Sequence, residues 1–110
     1  MAYLIENGIL EKYLPEPGET EITLPENIRK IRQGAFAGCE NLHSVCIPEG
    51  VTHILNGAFR NCKNLQYVKL PESLRMMEAK VFQDCTSLEE IIIPENINTI
   101  PKEVFLRCTN

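Results

Sequence analysis

Four phenylalanines, Phe36, Phe59, Phe82 and Phe105, follow one another at a step of 23 residues. The cysteines Cys39, Cys62, Cys85 and Cys108 keep that step, and so do Pro25, Pro48, Pro71 and Pro94. Apolar columns share the phase: Leu24, Ile47, Leu70 and Ile93; Ile28, Val51, Leu74 and Ile97; Ile31, Ile54, Met77 and Ile100; Leu42, Leu65 and Leu88; Val45, Val68 and Ile91. A period of this length is the mark of a chain that stacks copies of one small unit, none of which can bury its apolar face alone. It requires a solenoid.

One unit reads L-x-x-V-x-I-P-E-x-x-I-x-x-I-x-x-x-A-F-x-x-C. Leu42 to Ile47 alternates apolar with polar, which predicts a half-buried strand with Val45 and Ile47 turned inward. Pro48 ends it, because proline has no N–H to give to a ladder. Ile54 anchors the opposite wall. Ala58, Phe59 and Cys62 fit one helical turn, since residues three apart share a helix face. The expected fold is an α/β solenoid, right-handed, with a parallel sheet on one face and short helical turns on the other. It has three full coils and a partial fourth.

The pattern also explains FAGCENLHSVC, residues 36–46, where Cys39, His43 and Cys46 invite a metal or redox reading. Cys39 belongs to the F-x-x-C column, where a small apolar thiol fills space beside phenylalanine. His43 shares its column with Gln66 and Glu89, and Cys46 points the other way, so four converging zinc ligands are absent. No metal and no cofactor are expected. Disulfides between stacked cysteines fit the Cα spacing but suit the torsion poorly. The redox state of Cys39, Cys62, Cys85 and Cys108 is left open, and burial makes such thiols inert. Glu26, Glu49, Glu72 and Glu95 form a column of like charge that calcium could bridge; solvation at the turn is the expected state.

The segment IPEGVTHILNGAFRNCKNLQYVKLPESL resembles the BspA-like leucine-rich repeats of bacterial surface proteins and some protist parasites. The resemblance covers residues 22–110, and YLIENGILEKYLP, residues 3–15, is similar to the short leader that precedes such arrays. It implies a protein-interaction scaffold, often adhesive, with no enzyme activity, at the cell surface or secreted. The more familiar leucine-rich repeat carries Asn or Cys where this chain has Gly50, Ser73 and Asn96, so an asparagine ladder is not expected.

Residues 1–21 are expected to form a hairpin cap and linker, and residues 22–110 the solenoid, in one structural domain. Asn7-Gly8 is a strong hairpin turn signal, with Leu4, Ile9 and Tyr13 supplying the apolar face. At the other end the strand around Ile91–Ile93 has no successor, and an uncovered apolar edge invites pairing. The expectation is truncation of a longer array, or self-association through that edge.

In 110 residues with a formal charge of −4, no stretch is basic enough for nucleic acid or apolar and long enough to enter a membrane. MAYLIENGIL lacks the features of a signal peptide, which reads as cytoplasmic unless a signal was removed. No catalytic constellation converges. Function is therefore expected on the outward strand positions, as a protein–protein interaction module whose ligand is an unidentified protein. Those positions are Glu21, Ser44, Tyr67 and Glu90 in one column and Thr23, Cys46, Lys69 and Ile92 in the other. Tyr67 is the best anchor by residue type. The alternative is a structural spacer in a longer cell-surface protein.

Overall fold

The computed structural model describes residues 2–97, 99–101 and 103–109. Strands β1 (Ala2–Glu6) and β2 (Ile9–Leu14) form an antiparallel hairpin. Each of the next three coils gives one strand to each of two parallel sheets. The first holds β3 (Glu21–Thr23), β5 (Ser44–Cys46) and β7 (Tyr67–Lys69). The second holds β4 (Lys30–Ile31), β6 (His53–Ile54) and β8 (Met76–Met77), and the hairpin joins it through β2. Pairing keeps the sequence period: Glu21 faces Ser44, which faces Tyr67, and Ile31 faces Ile54, which faces Met77. The sequence pattern anticipates the first sheet; the second wall is likewise a sheet.

The hairpin turn follows Asn7-Gly8, with φ of 53° and 78° as a type I′ turn requires. Its apolar face differs from the expectation. The register slips between Leu4 and Ile5, which leaves Glu11 as the extra residue of a bulge. That bulge puts Leu10 and Tyr13, three residues apart, on the buried side, while Leu4 points to solvent. The hairpin also caps the second sheet and not the first, because Arg29 and Arg32 donate their backbone N–H groups to Gly8 and Leu10.

The third wall corrects the helical turn. Among the described residues there is no helix. Backbone N–H groups alternate in what they bond. Phe36 and Gly38 donate to Ala58 and Arg60 of the next coil, while Ala35, Ala37 and Cys39 donate three residues back. The same alternation returns at Phe59 and Asn61, and at Phe82 and Asp84. Two columns hold left-handed backbone: Gly34, Gly57, Lys80 and Glu103, and Gly38, Asn61, Asp84 and Arg107. A left-handed residue every four positions breaks any helix. The spacing of Phe59 and Cys62 that suits a helix suits this run of turns equally well.

The core is one apolar cluster running from Leu10 to Val104. Phe36, Phe59 and Phe82 are fully buried and stacked at centroid distances of 4.6 and 5.6 Å, and Phe105 continues the stack at 5.9 Å. Tyr13 extends it into the cap, stacked on Phe36 at 5.0 Å. Burying each such side chain stabilises the fold by about 1.5–3 kcal/mol. Beside the rings the Cys62, Cys85 and Cys108 thiols donate to the carbonyls of Phe36, Phe59 and Phe82 one coil back, at 3.2, 3.1 and 2.9 Å. All five cysteines are free. Cys62 and Cys85 are buried, whereas Cys39 and Cys108 at the ends of the column are half-buried.

The fourth coil corrects the expected edge strand. It joins the third wall normally, since Phe82 and Asp84 donate to Val104 and Leu106. On the first sheet only a single bridge, Tyr67 to Glu90, survives. The bonds from Leu24 to Cys46 and from Ile47 to Lys69 are not repeated from Leu70 to Ile92. On the second sheet Leu55 and Glu78 donate to Ile31 and Ile54. The next residue in that column is Pro101, which has no N–H to give. Ile91–Ile93 forms no strand, and Ile92 is 76% exposed.

Candidate functional site

The first sheet turns one residue in two outward, and its outward residues stand in two files set by the parallel register. Tyr67 lies between Ser44 and Glu90, and Lys69 continues from Cys46. Ser44, Cys46, Tyr67, Lys69, Glu90 and Ile92 line a shallow depression of about 420 Å³ across the second, third and fourth coils. Its floor includes Val45, Val68 and Ile91. Tyr67 is 49% exposed, so with Ile92 two large apolar side chains border the same hollow. Glu21 and Thr23 lie on β3, in the same files but outside the depression.

The turn beyond the strands makes the acid flank. Glu49 accepts backbone N–H bonds from Glu72 at 2.8 Å and Ser73 at 3.1 Å. Its carboxylate caps the next coil, so at that level the glutamate column is engaged with backbone rather than simply solvated as expected. Ser73 bridges two coils, accepting from the Gly50 N–H at 2.9 Å and donating to the Val51 carbonyl at 2.8 Å. Asn96 donates to the Glu72 carbonyl at 3.3 Å. A polar spine thus exists at Gly50, Ser73 and Asn96, formed by the Gly50 backbone N–H and by the side chains of Ser73 and Asn96. Among the described residues no group of three or more His, Cys, Asp or Glu could hold a metal ion.

Sorting charges by column shows what reading along the chain does not. Exposed carboxylates line the strand wall and the turn after it: Glu21 on β3, Glu89 and Glu90 at the same level of the fourth coil, and Glu26, Glu49, Glu72 and Glu95 on the turn. Lys69 is the one cation of those segments. The exposed cations Arg29, Lys30, Arg60, Lys63 and Arg75 fall on the rest of the coil. The formal charge of −4 is therefore unevenly spread, with its acidic excess on the strand wall.

The thiols and phenols are shifted mostly upward, with Cys85 lowered by its hydrogen bond with Cys62 as the exception. The neighbouring Cys85 thiol and burial push the Cys62 thiol up, and burial does the same for Cys39 and Cys108. Burial, with Glu19 nearby, pushes Tyr3 up to about 12. Tyr13 is raised by burial and by its hydrogen bond to Glu19, whose carboxylate accepts from the phenol at 2.5 Å. None of these groups lines the depression.

Two parallel sheets and a turned third wall, repeating every 23 residues over a phenylalanine stack, define a leucine-rich repeat solenoid. The family model of the BspA type leucine rich repeat region (6 copies) matches residues 18–110, and the chain belongs to that family. A leucine-rich repeat protein of T. pallidum has the same fold over 97% of this chain and 53% of its own, with a TM-score of 0.88 and 28% identity. A leucine-rich cell surface protein of Faecalibacterium prausnitzii matches 92% of this chain and 33% of its own, with a TM-score of 0.76 and 27% identity. A leucine-rich repeat protein of Bacteroides ovatus, 24% identical over 87% of this chain and 28% of its own, shares the fold at a TM-score of 0.73. The chain thus spans about half of the first of these proteins and a third of the second. Curated protein sequences gave no match. Among the described residues no helix is long and apolar enough to cross a membrane.

Proposed function

We propose that the chain is a non-catalytic binding module that holds a protein partner on the outer face of β3, β5 and β7. The observation that carries this is the depression where exposed Tyr67 and Ile92 flank one hollow. Exposed aromatic anchors in a shallow pocket are typical of interface hot spots. By its kinship with bacterial surface proteins the module would act at a bacterial cell surface.

Tyr67→Ala tests it. Tyr67 is half-exposed and its loss empties no core position, so the variant should unfold within about 0.5 kcal/mol of the parent. Partner capture should weaken by at least about tenfold. A variant that folds normally and keeps every partner at full affinity would remove the strand face from consideration.

A second reading is a spacer that positions its neighbours in a longer surface protein. It is favoured by the share of the related structures that this chain covers, 53% and 33%. Its mark would be no partner at any concentration, together with a longer protein whose binding survives Tyr67→Ala.

A further inference from the structure

Resting on the strand-face reading above, we infer that the partner is a cationic protein segment that places one apolar side chain between Tyr67 and Ile92, with lysines or arginines on either side. Three observations on that wall converge. The hollow offers apolar contact at Tyr67, Ile92 and the floor residues Val45 and Val68. Its polar rim is acidic: Glu72 and Glu90 line it beside Lys69, and Glu26, Glu49 and Glu95 continue the acid file above and below. Apart from Lys69 on the wall itself and Arg29, whose guanidinium reaches Gly50 beside Glu49, the exposed cations of the coil sit on other walls, so the strand wall keeps an acidic excess.

Potentials of opposite sign steer encounter and reject like-charged partners, whereas affinity comes from the buried anchor. An acidic segment would face Glu72 and Glu90 across a short distance, with Lys69 alone to offset them. A segment with no apolar residue would leave Tyr67 and Ile92 in water. Glu49 is partly committed to its two backbone N–H bonds, so Glu72 and Glu90 are the carboxylates assigned to the partner's cations.

The test titrates the full chain with three short synthetic peptides while backbone amide resonances are followed. In the first, lysines flank a central phenylalanine; in the second, glutamates flank it; in the third, lysines flank a serine. The lysine–phenylalanine peptide should bind and move the amides of Tyr67, Lys69 and Glu90. Each of the other two should bind at least about tenfold more weakly. Raising salt from 0.1 to 1 M shortens the Debye length from about 10 to about 3 Å and should weaken the first peptide alone among the phenylalanine pair. The double variant Glu72→Gln, Glu90→Gln should lose about tenfold, while Glu6→Gln, Glu40→Gln, with acids removed elsewhere on the surface, should not.

Equal binding of the lysine and glutamate peptides would overturn the inference. So would resonance changes confined to the hairpin or the second sheet, or equal losses in both double variants. Self-association of the chain relieved by Glu72→Gln, Glu90→Gln would overturn it in favour of a second copy. Capture of an acidic protein that depends on Tyr67 would end the cationic assignment and leave the strand-face reading standing. If nothing binds in a Tyr67-dependent way, both fall together.

Discussion

Tyr13 of the cap lies flat on Phe36 of the first coil, ring centroids 5.0 Å apart and planes 23° from parallel. It stands in the place another phenylalanine of the column would take, and its N–H bonds Ala35 as the Phe36 N–H bonds Ala58. Its hydroxyl donates to Glu19 and accepts from Asn41 at 3.2 Å, and Asn41 also reaches the Glu19 carbonyl at 2.7 Å. One side chain therefore closes the stack and ties the linker to the first coil.

The stack should dominate stability. Phe59 has a ring on each side and no exposure. Phe59→Ala should cost about 3–5 kcal/mol by emptying a core position that its neighbours cannot fill. Tyr13→Phe keeps the ring and removes the hydroxyl, leaving the Asn41 amide one acceptor short, and should cost about 1–2 kcal/mol. Chemical denaturation measures both. A Phe59→Ala variant within 1 kcal/mol of the parent, by the same scale, would mean the column is not the core.

The left-handed columns make an opposite pair of predictions. Lys80 sits at φ 65°, in a column whose earlier members are Gly34 and Gly57. A side chain there costs about 1–2 kcal/mol that glycine does not incur, partly offset by the extra freedom glycine has when unfolded. Lys80→Gly should stabilise by up to about 1 kcal/mol. Gly34→Ala meets no atom within 4 Å, so its loss of about 1 kcal/mol would report backbone conformation alone. Denaturation midpoints moving the same way in both variants would contradict the assignment.

These columns also mark where reading the sequence stopped. Phe36, Phe59, Phe82 and Phe105 reveal the stack because spacing fixes a ladder whatever the local backbone. Alternation at Leu42 to Ile47 reveals which strand residues face out, and so the files containing Tyr67 and Lys69. The same reasoning fails at Ala58 to Cys62, where three-residue spacing is shared by helix and turns. Gly34, Gly57, Gly38 and Asn61 hinted at left-handed backbone, but Lys80, Glu103 and Arg107 concealed the column. Tyr13 was legible, standing 23 residues before Phe36, yet the hairpin drew it into a separate unit. The acid wall could be found only by sorting charges into columns. The opening of the fourth coil left one written sign, Pro101.

Alkaline pH should loosen the fold. Cys62, Cys39 and Cys108 are raised above the ordinary thiol value of 9.0, and Tyr3 and Tyr13 above the ordinary phenol value of 10.0. Below pH 9 folded and unfolded chains hold these protons equally. Above it the unfolded chain releases them first, so it binds fewer protons and stability falls with rising pH. The fall should begin near pH 9 with the thiols and steepen above pH 10, extending to about 12, where Tyr3 ionises in the folded chain. Denaturant midpoints measured across that range should show it. The double variant Tyr3→Phe, Tyr13→Phe should start lower and fall less steeply above pH 10. A parallel curve would mean that the phenols do not contribute.

Pro101 offers a local test of why the fourth coil opens. Residues 55, 78 and 101 share a column, and Leu55 and Glu78 each donate one ladder bond to the coil before. Around the missing third bond lies a hollow of about 640 Å³, bordered by Met76, Met77, Ala79, Thr99 and Pro101. Pro101→Glu restores an N–H in phase with the Met77 carbonyl. A backbone bond stabilises by about 0.5–1.5 kcal/mol, while giving up proline in the unfolded chain costs about 0.4–1 kcal/mol. Global stability should therefore barely move, and the readout has to be local. In hydrogen exchange the amide of residue 101 in the variant should be protected to the level of Leu55 and Glu78, and Ile100, now 41% exposed, should become less accessible. An amide at residue 101 that exchanges as fast as an unstructured peptide would show that the coil is held open by its packing and not by the missing donor.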